Sequence, residues 1–271
     1  MSNDKLFSFP VKQGTLFLLL LLSADLIFCI FHVFHKISPF FSDKLFSLGT
    51  DRGYSEIFQY VKTYWIAILF GVLWWRTRQG IYLVWMLLFV YLLCDDALQT
   101  HELGGEAIAQ RWAYAGAFGL RAADFGELMI SGAAGLTFFA LMLMLYAKST
   151  RDAKNASLML TLLFGLIVFF GVFVDMLHMM AGGGRLEAES GVVQAGGSVL
   201  GLYVKGFLGL VEDGGEMLAM SLVCCYTFNL VAHHGQRPLT FWQRSTTGLV
   251  PAQPDNPWKA APLGSNPEKT I

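Results

Sequence analysis

Long apolar runs separated by short polar segments dominate the chain. Six of these runs are about 20 residues long or longer, which is the length a helix needs to cross the hydrocarbon core of a bilayer. Backbone groups in lipid must be hydrogen-bonded within their own segment, so the runs predict helices rather than open strands. The predicted spans are residues 14–34, 57–75, 80–102, 122–146, 156–180 and 206–231.

This pattern predicts an all-α integral membrane protein, with a six-transmembrane-helix bundle over residues 1–234. Residues 235–271 contain six of the eight prolines and predict a disordered, Pro-rich cytoplasmic tail. Two alternatives stay open. Lys5 and Lys12 precede the first run, so that run could be a cleaved signal peptide. The Gly-rich stretch 192–205 could extend the sixth helix or form a re-entrant segment.

Lysines and arginines indicate the orientation. With the N-terminus inside, eleven of the 19 bases lie on the cytoplasmic side and eight on the other side. The short loop 147–155 holds three bases and one acid, and 76–79 holds two bases and no acid. Both termini are therefore predicted to be cytoplasmic. Four aromatic residues are then predicted to form a belt at the inner interface: Trp74, Trp75, Tyr82 and Trp85.

Composition narrows the class further. Hydrophobic residues make up 55% of the chain and charged residues 14%, whereas soluble domains carry about 25% charged residues. Too little polar surface remains for a soluble enzyme or a disordered chain. The net charge of −1 excludes the basic surface that nucleic-acid binding requires. The four cysteines lie in apolar stretches and show neither a disulfide framework nor zinc-ribbon spacing.

Acidic residues are concentrated where they are least expected, inside the predicted spans. Ionisable groups within a bilayer are costly, so each of them is a candidate functional residue. Apart from Asp25, all lie in the outer half of the membrane in the predicted orientation. Ten of the 20 acidic residues belong to this set: Asp25, Asp95, Asp96, Glu102, Asp124, Glu127, Asp175, Glu212, Asp213 and Glu216.

Their spacing predicts that the acids on each helix share one face, which would turn to the bundle interior. Helices 3 to 6 could then bring the faces together. A weak repeat also supports convergence, since helices 3–4 and 5–6 each carry Asp-x-Leu, a histidine, Gly-Gly and then Asp-x-Gly-Glu. The predicted faces are Asp95/Gln99/Glu102, Asp124/Glu127, Asp175/His178 and Glu212/Glu216. Four glycines are predicted to be close helix-packing positions: Gly132, Gly135, Gly165 and Gly171.

So many neighbouring carboxylates need protons, basic partners or cations. Only Arg121 and Lys205 lie near them, each at a helix end, which leaves protons or metal ions. Carboxylate and histidine at i, i+3 is the ligand pattern of di-metal helical bundles, and the donor set suits Fe, Mn or Zn. The predicted ligands of a divalent metal are His101, Glu102, Glu127, Asp175, His178 and Glu216. The predicted base or supporting residues are Asp96, Asp124, Glu212 and Asp213.

Single residues also have simpler interpretations. Asp124 could cap its helix and Arg121 could pair with one of the acids. His32 and His35 are expected at the membrane interface. Desaturase histidine boxes, the His-x-x-x-His pair of ceramidase-like hydrolases, the retinal lysine, Gly-x-Ser-x-Gly and phosphate-binding loops are all missing from the sequence.

Three functions compete. The first is a metal-dependent membrane enzyme, a hydrolase or an oxidoreductase, with its site on the extracytoplasmic side of the cell membrane. Its substrate would be lipid-phase, such as a lipid or quinone-like molecule, or extracytoplasmic. The second is a cation or proton-coupled transporter, which the apolar inner halves of helices 4 and 5 disfavour. The third is a non-catalytic membrane subunit whose acids only hold the helices together. The free-energy cost of placing so many ionisable groups within a membrane disfavours this function.

Overall fold

The computed structural model describes residues 11–112, 121–177 and 199–235, and every regular element in these ranges is helical. Six of the helices are long and apolar enough to span a membrane, as predicted, which indicates an integral multi-pass membrane protein. A shorter helix, α4, was not predicted. The helices are α1 Val11–Ile37, α2 Tyr54–Thr77, α3 Gly80–Leu98, α4 Thr100–Trp112, α5 Ala122–Lys148, α6 Arg151–Val168 and α7 Val199–Gly235.

The third helix is shorter than the apolar pattern predicts. It ends at Leu98 rather than at residue 102, because Gln99 adopts a left-handed conformation with φ 53°. Helix α4 begins at Thr100 and forms a separate element. The predicted face Asp95/Gln99/Glu102 is therefore wrong, since a helical i, i+4, i+7 spacing does not continue across this break.

Helix α6 changes its winding near its far end. It passes into π-helical geometry over Phe169–Val174 and returns to α-helix before Leu177. Such insertions are rare and are frequent at functional sites. The residues that would complete the second predicted hairpin, including His178, lie outside the described ranges, as does the predicted tail from 236 onward. The repeat and the tail stay predictions.

An aromatic and aliphatic core joins α2, α3 and α6. Phe70 stacks with Trp85 and Phe89, with ring centroids 5.9 and 5.8 Å apart, and Phe164 meets Trp85 edge-on at 6.0 Å. The Trp85 indole donates a hydrogen bond of 3.0 Å to Ser157 Oγ.

The burial of two of its four residues corrects the predicted aromatic belt. Trp85 and Tyr82 are both almost fully buried and belong to the core rather than to an interface. Trp75 is exposed, and the Arg78 guanidinium lies over its ring at 4.5 Å. That pairing of an aromatic ring with a cation is typical of a helix end near headgroups.

A buried ion pair ties α1, α2 and α7 together. Lys62 Nζ donates to Asp25 Oδ1 at 3.0 Å, to the Met217 carbonyl at 3.0 Å and to Ser221 Oγ at 3.2 Å. Ser221 Oγ in turn donates to Asp25 Oδ2 at 2.6 Å. All three ammonium protons are thereby used. The expectation that the intramembrane acids have basic partners only in Arg121 and Lys205 is thus wrong for Asp25.

Helices α4 and α5 cross with their backbones in contact. A Cβ added at Gly105 would lie 2.7 Å from the Glu127 backbone nitrogen, and one at Gly126 would lie 2.7 Å from Gly105 Cα. Only glycine permits so close an approach. The crossing fixes the start of α5 against α4, directly beside the break at Gln99.

Away from α4, α5 is loosely attached. Within the described ranges it packs along α4 and α3 but not along α6 or α7. The prediction of close packing at Gly132, Gly135 and Gly165 is wrong, because added Cβ atoms there would meet nothing within 4 Å. At Gly171 the prediction of a close approach is confirmed, but the neighbour is the Glu216 side chain.

Candidate metal centre

A cavity of about 990 Å³ opens between α2, α3, α5, α6 and α7, with the start of α4 at one end. It collects acids that are far apart in the sequence, and the remaining predicted site residue, His178, lies outside the described ranges. Convergence of the acidic faces is therefore a property of the fold, whereas the role of each residue stays a prediction. Nine predicted site residues line the cavity: Asp96, His101, Glu102, Asp124, Glu127, Asp175, Glu212, Asp213 and Glu216.

The break between α3 and α4 builds the first group of ligands. Asp95 is buried and accepts hydrogen bonds from the Thr100 hydroxyl and from the His101 backbone N–H at 3.1 Å. It thus caps the start of α4, as acids commonly do at helix N-termini. The cap turns the chain so that Asp96, at the end of α3, and His101, at the start of α4, lie side by side.

Asp95 also orients the imidazole. Its Oδ2 lies 3.1 Å from His101 Nδ1, an arrangement in which Nδ1 donates and Nε2 is left available as a metal ligand. Potential ligand atoms of Asp95, Asp96 and His101 all lie within 4.8 Å of one another, so the three residues could hold a metal ion. Carboxylate oxygen with imidazole nitrogen fits Fe, Mn or Zn. The Asp95 carboxylate already accepts three hydrogen bonds, two of them from His101. It is therefore better suited to positioning His101 than to binding the metal itself.

The start of α5 forms the opposite wall. Arg121 donates to Asp124 Oδ1 through Nε at 3.0 Å and Nη2 at 2.8 Å, and its backbone N–H donates to Oδ2 at 2.7 Å. Both simpler interpretations are confirmed, namely that Asp124 caps the helix and that Arg121 pairs with an acid. Glu127, one turn further on, lies within electrostatic range of His101 and Glu102.

Helices α6 and α7 supply a second group of acids. The side chains of Glu212 and Asp175 lie within hydrogen-bonding reach of each other, and two carboxyl groups so close need a shared proton or a bound cation to offset their repulsion. Glu216, one turn along α7, lies within electrostatic range of both and of Asp96. Glu216 therefore connects the second group with the first.

The π-helical segment makes room for Glu216. A Cβ at Gly171 would overlap the Glu216 carboxylate, and a Cβ at Gly215 would overlap the Phe170 ring. Glycine at these two positions lets α6 and α7 approach while a carboxylate lies between them. The Gly214-Gly215 pair in the sequence indicates that another segment packs closely against α7 at this point. It does not indicate that this segment is the far end of α6.

Sequence reasoning missed the contribution of α2. Tyr60 donates to Glu56 Oε1 at 2.5 Å and to the Asp96 carbonyl at 3.4 Å, which links α2 to the first group of ligands. Gln59 also lines the cavity, and its Oε1 is a buried acceptor with no protein partner among the described residues. The available signal was a polar stripe at helical spacing, Glu56, Gln59, Tyr60 and Thr63, at the start of an otherwise apolar helix.

The cavity is strongly acidic. Eleven Asp and Glu residues line it, and Arg121 is the only lysine or arginine among its described lining residues. That arginine is already paired with Asp124. The Lys205 side chain lies outside what the structure describes. Among the described lining residues, acidic side chains therefore greatly outnumber basic ones.

A family model for a domain of unknown function, DUF8692, matches residues 15–230. The chain belongs to the DUF8692 family. The matched range includes every residue that lines the cavity, so the site lies within the family domain. No curated protein and no solved structure is detectably similar to the chain.

Proposed function

We propose that this DUF8692 chain is a metal-dependent membrane enzyme whose site is the acidic end of the cavity. One observation carries the proposal. Carboxylates and a histidine from five helices, α3 to α7, meet at one cavity with a single arginine to balance them. Several buried like charges require cations or protons, and a histidine oriented by a carboxylate favours a metal.

Two groups of residues would hold the metal. The first is Asp96 and His101, with Glu127 and Glu102 on the facing wall. The second is Asp175 and Glu216, to which His178 is a further predicted ligand. Glu216 lies within electrostatic range of Asp96 and of Asp175, so we propose that it occupies the position between the two groups, as a shared carboxylate does in di-metal bundles.

The chain's own residues then have distinct tasks. A bound metal would supply Lewis acidity toward an ester or phosphate oxygen, or oxidative chemistry if it is iron. Asp95 holds the His101 ring and Tyr60 holds α2 against the Asp96 carbonyl. Asp213 or Glu212 would take the proton from an attacking water. Asp124 is committed to Arg121, so we propose that it positions the α5 wall.

The cavity disfavours the alternative of a transporter. A transport path needs polar groups continuing to the other face of the membrane. Away from the acids, most of the lining side chains are apolar, including Trp85, Phe138, Met142 and Phe164, and the polar ones there, such as Ser131 and Thr161, carry no charge. The orientation that puts the acidic end on the extracytoplasmic side remains part of the proposal.

Metal analysis of detergent-purified protein tests the proposal. We expect at least one Fe, Mn or Zn per wild-type chain, and loss of metal in His101→Ala, His178→Ala and Glu216→Ala. Glu106→Ala is the matched control, because Glu106 is an exposed carboxylate on the same helix as His101 and lies off the cavity. Sub-stoichiometric metal that no variant changes would reject the enzyme. Cation flux into liposomes driven by pH or voltage would support a transporter instead.

A further inference from the structure

The cavity extends well beyond the acids as an apolar arm. On α3 the lining residues run from Asp95 back to Trp85, which is about 15 Å at a rise of about 1.5 Å per residue. On α5 they run from Asp124 to Met142, about 27 Å on the same basis. Helices α2 and α7 line only the acidic end, so the arm lies between α3, α5 and α6.

Among the described residues the arm is open between α5 and α6, on the side that lipid would cover if these helices span a bilayer. These helices do not pack along each other within the described ranges. Leu136 and Phe139 line the cavity and are nevertheless 71% and 55% exposed, so the α5 wall faces open space. Added Cβ atoms at Gly132 and Gly135, which also line it, would meet nothing within 4 Å. A hydrocarbon chain beside the protein could enter here without crossing water.

We propose that the cavity binds one zwitterionic phospholipid with a primary-amine headgroup, and that this lipid is the substrate class of the site. Its acyl chain would lie along the apolar arm, and its headgroup would meet the acidic end. This assignment rests on the proposed function for the metal that faces the headgroup. The volume of 990 Å³ is at the upper end of ligand sites, which hold about 300–1,000 Å³.

The charge of the acidic end of the cavity determines which lipid headgroup it can bind. Hydrocarbon gains little on moving from lipid into an equally apolar arm, so discrimination must come from the polar end. Among the described lining residues, eleven acids against one arginine and His101 disfavour an anionic lipid. A primary ammonium can donate to lining carboxylates such as Glu102 and Glu127, while the adjacent phosphate oxygen can face the metal. An anionic headgroup satisfies only the second of these contacts.

Native mass spectrometry tests the assignment. The protein is reconstituted in vesicles of equal parts phosphatidylethanolamine and phosphatidylglycerol, then released into mild detergent. We expect about one retained phosphatidylethanolamine per chain. Gly135→Leu fills the arm where space is free, and it should lower retention roughly tenfold or more, as an added methylene group can in an apolar pocket. Gly165→Leu is the matched control, because Gly165 has equal free space and does not line the cavity.

Three results would overturn the assignment: no retained lipid in the wild type, preferential retention of phosphatidylglycerol, or equal retention in Gly135→Leu and Gly165→Leu. Metal content of the same samples separates this inference from the proposed function. Gly135→Leu should keep its metal while it loses lipid. A wild type that holds metal but no lipid refutes the lipid assignment alone, and one that holds lipid but no metal refutes the metal enzyme alone.

Discussion

Two groups of charged side chains lie within the membrane-spanning helices, and they differ in how their charges are balanced. Around Lys62, one acid meets one base, and every ammonium proton has an acceptor. Among the described residues that line the cavity, eleven acids meet one arginine, which is paired with Asp124. The first group is enclosed by α1, α2 and α7, whereas the second lines a large open space.

This difference in charge balance distinguishes a group that stabilises the fold from a group that we propose binds a ligand. A charge pair buried with its hydrogen bonds complete leaves nothing for a ligand, so the Asp25–Lys62 group holds helices together. Around the cavity the described acids outnumber the bases, and we propose that they hold an external cation. An acid inside a membrane helix is therefore informative about function only once its partners are known.

The largest effect is expected at Lys62. Lys62→Met leaves Asp25 buried without its base, which should cost about 3–5 kcal/mol of unfolding free energy, measured by chemical denaturation in mixed micelles. The double variant Lys62→Met with Asp25→Leu should recover most of that loss, because no unpaired charge remains. Equal stability of the single and double variants would contradict a structural role for the pair.

The second effect concerns Asp95. Asp95→Asn retains a cap oxygen for α4 but weakens the hold on His101, so metal affinity should fall about 10–100-fold, as for other residues that orient ligands. Competition with a chelator measures the affinity, and Cys94→Ala, at the exposed neighbouring position, is the control. An unchanged affinity with a lowered melting temperature would mean that Asp95 only caps the helix.

The third prediction tests the α4–α5 crossing that forms one cavity wall. Gly126→Ala forces a methyl group against the Gly105 backbone and should cost about 1–3 kcal/mol in thermal unfolding. Gly132→Ala on the same helix meets no neighbour, and it should stabilise by about 0.5–1 kcal/mol through helix propensity alone. Opposite signs for the two glycines are the expected signature, and equal effects would argue against the crossing.

The smallest effect is expected at the boundary between the core and the apolar arm. Ser157→Ala removes the acceptor of the 3.0 Å hydrogen bond from the Trp85 indole, at a cost of about 0.5–1.5 kcal/mol. Trp85→Phe removes the donor and also leaves space in a fully buried site, so it should cost more, and the double variant should cost less than the sum of the two. Additive losses in this cycle would mean that the two side chains do not interact.

Much of the fold follows from the chain alone, because bilayer thickness imposes a length on apolar segments. The six spans, the acids within them and the Arg121–Asp124 pair could all be predicted from local pattern. The break at Gln99 could not, since Asp95 terminates α3 through contacts with residues beyond the break, and apolar periodicity carries no such information. The polar stripe at the start of α2 is present in the sequence. The long apolar run that follows it predicts only a membrane span, so the stripe was not assigned to the site.

By itself the sequence determined the class, the number of spans and which residues carry charge into the membrane. Those properties depend on composition and on distances along one helix. Tertiary structure alone decided that Asp25 belongs with Lys62, that the other acids surround one cavity, and that α5 does not pack along α6 beside it within the described ranges. Which charged residues meet depends on which helices pack together. Every span of this chain is apolar along most of its length, so the apolar pattern does not specify which helices pack against each other.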